Sequence, residues 1–169
     1  MPTLALNKRG RFDYEILDKY EAGLVLLGME VKSIKTGHIS LKGSYVTLRQ
    51  AFSRGGQAGQ ALKRPEKAGL PELYLINAHI PLYRHAGVVK DYDPERPRKL
   101  LLHKNEIKRL IGKKQEQGLT LVPLKIYTKR SLIKLEFGVG RGKKKVDKRE
   151  TIKKREVERK VRTLTKRKP

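Results

Sequence analysis

Apolar residues Phe12, Tyr14 and Ile16 alternate with charged neighbours, the pattern of a half-buried strand. Gly23 interrupts that pattern, as a glycine at a bulge or sharp bend does. Leu24 to Leu27 is a short apolar run that fits a buried strand. Met29 to Thr36 mixes apolar and small residues as a short helix does, and Gly37 is placed to end it. Strands are predicted at Tyr45–Leu48 and at Leu73–Ile80, the latter stopped by Pro81. The clearest helix runs from about His103 to Gln117, with Ile107, Leu110 and Ile111 on one face and Gly118 after the last turn. Two strands follow, Leu119–Tyr127 and Leu132–Val139, joined by the turn Thr128–Ser131. Pro123 points to an edge or bulge position within the first of them. The sum is five or six strands and two or three helices. The fold class this implies is mainly β: a small closed or partly open β-barrel with the helices outside.

Two stretches lack such periodicity. Gln50 to Pro71 holds four glycines and two prolines, far more than the 2–5 residues of a common hairpin loop, and reads as a flexible insertion between strands. Tyr83 to Lys99 is turn-rich and basic. The longest apolar stretch, Ala22–Met29, is too short for a membrane-spanning helix of roughly 20 residues. MPTLALNKRG has no apolar core of a secretory signal. The expectation is a soluble, intracellular protein.

Composition sharpens this picture at the C-terminus. The chain of 169 residues has 41 Lys+Arg against 17 Asp+Glu, a net charge of +24. Residues 141–169 alone carry fifteen basic and four acidic residues, a net +11. Their few large apolar residues cannot build a core, so this segment is expected to be disordered when free. Val157, Val161 and Leu164 nevertheless share one helical face, and Glu156–Lys160 and Glu158–Arg162 are supporting i, i+4 pairs. The tail should become helical once a polyanion neutralises it. The division expected is a domain over 1–140, with 50–71 inserted, and a tail over 141–169. Such a charge calls for a polyanionic partner.

Candidate chemistry is sparse. There is no cysteine, which excludes disulfides, Cys-ligated zinc, iron–sulfur clusters and thiol catalysis. No phosphate-binding loop, nucleophile elbow or H-E-x-x-H pair is present. His79 and His85 are six apart with Pro81 between them, poor spacing for a metal pair, and read as strand-end or surface residues. An RNA-processing enzyme using them as acid and base is the weakest reading. Gly138-Val139-Gly140-Arg141-Gly142 reads as a flexible exit from the last strand. His103 either caps the main helix or faces RNA, and Glu30 is either a salt-bridge partner or an acceptor for a nucleobase. Tyr83–Arg84 and Tyr92 with Arg96 are candidates for stacking on unpaired bases, or a solvated basic face.

Several segments resemble one family. Asn7-Lys8-Arg9, Tyr14-Glu15-Ile16-Leu17, Tyr20-Glu21-Ala22-Gly23 and Gly28-Met29-Glu30-Val31-Lys32-Ser33 are similar to the opening of the SsrA-binding protein (small protein B) family. So are Leu75–Ile80, Arg98–His103 and Gly118–Leu124, and above all Arg141-Gly142-Lys143-Lys144 followed by Asp147-Lys148-Arg149. The resemblance implies an oligonucleotide-binding-type β-barrel with external helices and no catalytic activity or cofactor. It implies binding to the tRNA-like part of transfer-messenger RNA (tmRNA, SsrA RNA) and delivery of alanyl-tmRNA, with elongation factor Tu, to ribosomes stalled without intact message. The tail would enter the empty message channel beside decoding-site rRNA. The protein would be a cytoplasmic monomer. The family's tmRNA-binding positions are placed on Glu30, Leu101, His103 and Lys134, and its ribosome-acting tail positions on Gly142, Lys143, Lys144, Asp147, Lys148 and Arg149. Two departures stand out: the long 50–71 insertion, and Val146 where the family often has His or an aromatic. The alternative reading is a structural ribosomal protein of small-barrel type.

Overall fold

The computed structural model describes residues 2–49, 71–87, 89, 91–115, 118–144, 157 and 161. In chain order the elements are β1 (Thr3–Leu6), α1 (Lys8–Asp13), β2 (Tyr14–Leu24), α2 (Gly28–Lys35), β3 (Tyr45–Arg49), β4 (Glu72–Ile76), β5 (Arg98–Leu101), α3 (Lys104–Gln115), β6 (Leu119–Lys129) and β7 (Leu132–Gly142). All strand pairings are antiparallel. The order β1-β6-β3-β4-β5-β2-β7 carries a further pairing of β6 with β7. Six strands therefore close into a ring, and β1 joins β6 beyond the one register pair, Val46 with Leu121, that links β6 to β3. This is the barrel-like, mainly β architecture that the alternation predicts. Closure pairs both edges of each of the six ring strands, and the short β1 alone keeps a free edge among the described strands.

Of three register shifts, those in β6 and β2 bear on which side chains enter the core. The register of β6 against β7 shifts between Pro123 and Lys125. Leu121 and Ile126 are five residues apart, yet both join one buried cluster, because one extra residue reverses the alternation. Pro123 has no N–H to give to a ladder, and a bulge tolerates that. Asn7 fastens the bulge. Its Nδ2 donates to the Pro123 carbonyl at 2.9 Å and its backbone N–H to the Leu124 carbonyl at 2.8 Å. Its Oδ1 accepts from Gly10 N–H at 2.8 Å, which caps α1. The second bulge lies in β2, between Ile16 and Asp18, and leaves Leu17 exposed.

The buried cluster takes Ala22 from β2, Leu73 and Leu75 from β4, Leu100 from β5 and Leu135, Phe137 and Val139 from β7. Tyr20 stacks on Phe137 with ring centroids 5.8 Å apart. Ile34 of α2 and Leu110 of α3 are fully buried, so both helices dock their apolar stripe on the ring. Each such side chain contributes about 1.5–3 kcal/mol relative to exposure.

The structure revises several sequence expectations. Phe12 lies in α1, and the strand begins at Tyr14, because Asn7 nucleates a helical turn just before it. Gly23 is not the bulge: it is where β2 passes from pairing with β7 to pairing with β5. The apolar run after it is not a strand, since β2 ends at Leu24 and Val25 and Leu27 are exposed. β4 ends at Ile76, where Asn77 takes φ 54°, and only a bridge between Ser40 and His79 continues beyond it. The β6–β7 turn is the two-residue Arg130-Ser131, both at positive φ, as a tight hairpin demands. β1, α1 and β5, each six residues or fewer, are too short to show a period in the sequence.

The glycine-rich stretch 138–142 is ordered strand, not a flexible exit. A Cβ on Gly138 would stand 2.6 Å from Ile16 Cγ2, and one on Gly140 would stand 2.9 Å from the Glu15 carbonyl oxygen. Glycine is needed there because β2 crosses so close. β7 also runs two residues past the expected domain end at 140, and Lys143 N–H donates to the Asp13 carbonyl at 2.9 Å.

A candidate RNA-binding cleft at the end of β5

Pairing across the ring brings three distant residues into one row. Gly23 of β2 is the register partner of Leu101 on one side and of Lys134 on the other. Leu102 then leads directly into α3, so His103 and Glu106 stand above the same row. Together with Glu21, these residues line a cleft of about 400 Å³. Leu101 is 53% exposed, and His103 is also exposed. Gly23 keeps the floor open, since a side chain there would project beside Leu101, whose Cβ lies 3.4 Å from the position of the missing Cβ.

His103 caps α3 with its backbone. Its carbonyl accepts from Glu106 N–H at 3.0 Å and Ile107 N–H at 3.1 Å, while its own N–H donates to Glu106 Oε2 at 3.0 Å. These bonds serve orphan groups of the first turn. The imidazole itself lies on the exposed rim, so capping and facing a ligand are compatible at this position.

Glu21 organises the cleft's charge. Its carboxylate accepts from Lys134 Nζ, from Tyr127 Oη and, at 3.2 Å, from Lys129 Nζ. The Lys134 and Tyr127 hydrogen bonds are the main reasons its carboxyl is held down at about 2, against an opposing effect of burial. The partner Tyr127 hydroxyl is pushed up to about 12, by burial first and by donation to Glu21 next. Lys134 is thereby held in a fixed place beside Leu101 and His103.

Glu30 is elsewhere, and it is not available at the surface. It is fully buried, as is Arg98. Its Oε1 accepts from Arg96 Nε at 2.9 Å and Arg98 Nε at 3.0 Å, and its Oε2 accepts from Leu27 N–H at 2.8 Å. Arg98 also donates to the carbonyls of Ala78 and, at 2.8 Å, Pro94. Burial raises the Glu30 pKa, but the bonds from Arg96, Leu27 and Arg98 outweigh it and hold the carboxyl below its usual range. Of the two roles open in the sequence, the salt-bridge role is the one found. Two carboxylates line the cleft: Glu106, which accepts from the His103 N–H, and Glu21, which nothing in the sequence singled out, because its neighbours come from β6 and β7, more than a hundred residues on.

The other expected residues divide. Gly142 is the last residue of β7, and Lys143 and Lys144 follow it directly. Asp147, Lys148 and Arg149, with Val146 and the 50–70 part of the insertion, lie outside the described residues. Val157 and Val161 are helical and exposed, while Leu164 and the Glu156–Lys160 and Glu158–Arg162 pairs lie outside the described residues. Among the described residues no cluster of His, Cys, Asp and Glu suits a metal ion, and no helix is long and apolar enough to cross a membrane.

The pattern of the family described as SmpB protein matches residues 4–53 and 67–167. The chain belongs to the SmpB family. It is 45% identical over 168 residues to the SsrA-binding protein of Thermosipho africanus (strain TCF52B), covering 99% of each chain. It is also 45% identical to the SsrA-binding protein of Gloeothece citriformis (strain PCC 7424), over 95% of this chain and 91% of that one. A chain of the solved structure described as "tmRNA-SmpB: a journey to the center of the bacterial ribosome" aligns with a TM-score of 0.57 and 44% identity, over 83% of this chain and 85% of that one. The SmpB pattern passes over residues 54–66, inside the predicted insertion, and continues through the basic tail to 167. This membership does not favour the structural ribosomal protein as a reading.

Proposed function

We propose that this chain is an RNA-binding factor of trans-translation. It binds the tRNA-like part of tmRNA and brings alanyl-tmRNA, with elongation factor Tu, to ribosomes stalled without intact message. Membership of the SmpB family carries this reading. The cleft at the end of β5 is the proposed tmRNA-binding site, with Leu101, His103, Lys134 and Glu21 as its residues. Leu101 supplies an exposed apolar surface for a base or sugar, His103 a hydrogen-bonding ring, and Lys134 a fixed cation for the phosphate backbone. Glu30 acts at a distance, by holding β5 and the 78–96 segment in place through Arg98.

The tail from Gly142 onwards, through Lys143, Lys144, Asp147, Lys148 and Arg149, acts later and on the ribosome. A segment of net +11 repels itself in solution and loses that penalty inside an RNA-lined channel, so it folds where message is absent. Delivery needs recognition and positioning only, and the chain is proposed to act without catalysis, in the cytoplasm. The test is a gel shift of a tmRNA transcript with bulk tRNA as competitor. Binding that withstands tRNA at equal concentration is expected; equal competition by tRNA would overturn the assignment.

A further inference from the structure

Two tyrosine–arginine pairs offered stacking surfaces in the sequence, and the structure separates them. Tyr92 Oη donates to the Ile80 carbonyl at 2.7 Å, and Arg96 is tied to Glu30, so that pair is part of the scaffold. Tyr83 and Arg84 instead lie in the loop after β4, at a second cavity of about 350 Å³. Its wall is Tyr83, Arg84, His85 and His38, closed by Pro81 and Thr36. None of these residues belongs to the β5 cleft.

The cavity is built, not merely open. Ser33 Oγ donates to the Pro81 carbonyl at 2.7 Å, fixing the loop on α2. Thr36 Oγ1 and His38 Nδ1 are 2.9 Å apart, which holds the His38 ring. Tyr83 and His85 meet edge to face at 5.3 Å, and the Lys32 ammonium stands 5.8 Å from the Tyr83 ring centroid. An aromatic platform braced by a second ring and flanked by Lys32 and Arg84 is the chemistry that takes a base by its face and its phosphate by charge.

We propose that this cavity, lined by Tyr83, His85, His38 and Arg84, is a second RNA subsite that stacks one unpaired nucleobase. A protein acidic peptide would use the cations but not the ring platform; a base uses both. The inference rests on the RNA-binding reading above, and it gives the chain two separate RNA contacts on one barrel.

The four histidines make a direct test, since His38 and His85 report on this cavity, His103 on the β5 cleft and His79 on neither. Full-length protein with labelled histidines is titrated with adenosine 5′-monophosphate and, separately, with inorganic phosphate, following the ring signals by NMR. The expected result is saturable movement of the His38 and His85 signals with the nucleotide and not with phosphate. Tyr83→Ala should weaken that saturation between about fivefold and about a hundredfold, the range of a lost base stack, while Tyr83→Phe keeps it. Absence of movement at His38 and His85 overturns the proposal, as does equal movement with phosphate, which would mark a plain anion site. A folded Tyr83→Ala chain, by its remaining histidine signals, that saturates like the parent overturns it too. If the subsite fails while the parent chain still shifts tmRNA in a gel, the functional reading stands alone; if the gel shift fails, that reading falls whatever the nucleotide does.

Discussion

Glu21 and Glu30 are nine residues apart in the chain and have opposite surroundings. Glu30 is sealed among Arg96, Arg98 and the start of α2. Its removal leaves the buried Arg98 guanidinium without its counter-charge, a loss of about 3–5 kcal/mol. Glu30→Ala should therefore lower the denaturant midpoint strongly, and any weaker tmRNA binding should follow the unfolded fraction. Glu21 is partly exposed, so its ion pairs add little stability. Glu21→Gln should leave the melting temperature within a few degrees of the parent but weaken tmRNA binding about tenfold, because Lys134 loses its anchor; gel shift and thermal melting on one preparation check both. Acid behaviour follows from the same groups. A carboxyl whose pKa is lowered on folding adds stability that is complete above its ordinary value of 4.5 and is lost as pH falls through the folded value. For Glu21 the window runs from about pH 4.5 down to about 2, and melting curves across it should fall less steeply for Glu21→Gln. Tyr127 works in the other direction: raised from 10.0 to about 12, it removes stability as pH climbs through that interval.

At the scale of elements, the β2–β7 pair depends on glycine. Gly140→Ala puts a methyl 2.9 Å from a backbone oxygen that cannot turn aside. The expected cost is about 1–3 kcal/mol, as in other overpacked sites, read as a lower denaturant midpoint. Gly142→Ala meets nothing within 4 Å and should be nearly neutral for stability, a direct contrast within one strand. Element legibility varied with length. Long β7 carries clear alternation from Ile133 to Val139, β6 is apolar over most of its length, and α3 carries a clear stripe. β1, β5 and α1 are too short for any period to emerge, and β5 exists because Arg98 is pinned by Glu30 and by two carbonyls beyond its own strand. The glycine run at 138–142 looked like loop because close approach of another strand leaves no trace in local sequence.

For the whole molecule, the net +24 is divided between a ring that presents a shaped surface and a tail of net +11. A chain ended after Lys144 keeps all of β7 and the Lys143–Asp13 bond. It should bind tmRNA within about tenfold of the full chain, or about 1.4 kcal/mol, and fail to support tagging on stalled ribosomes in a reconstituted reaction. Binding by the full chain should fall steeply with salt, log K dropping by about 0.7 to 0.9 per log unit of salt for each phosphate contacted, depending on how far the RNA is paired. The truncated chain should show a shallower slope if the tail also touches the RNA in the free complex, and the same slope if it waits for the ribosome.

By itself the sequence determined the β class, the main helix and hairpin, the excess of charge on the tail and, through motifs spread along the chain, the SmpB family. These are properties of local period, composition and ordered similarity. Tertiary structure decided which of Glu21 and Glu30 stands in the cleft. It paired Gly23 with Leu101 on one side and Lys134 on the other, and it drew Lys134 and Tyr127 to Glu21 while burying Glu30. Both glutamates sit in family-like segments, and no local pattern tells them apart. Only the closure of the ring, which brings β2, β5 and β7 side by side, buries one among arginines and leaves the other lining the cleft.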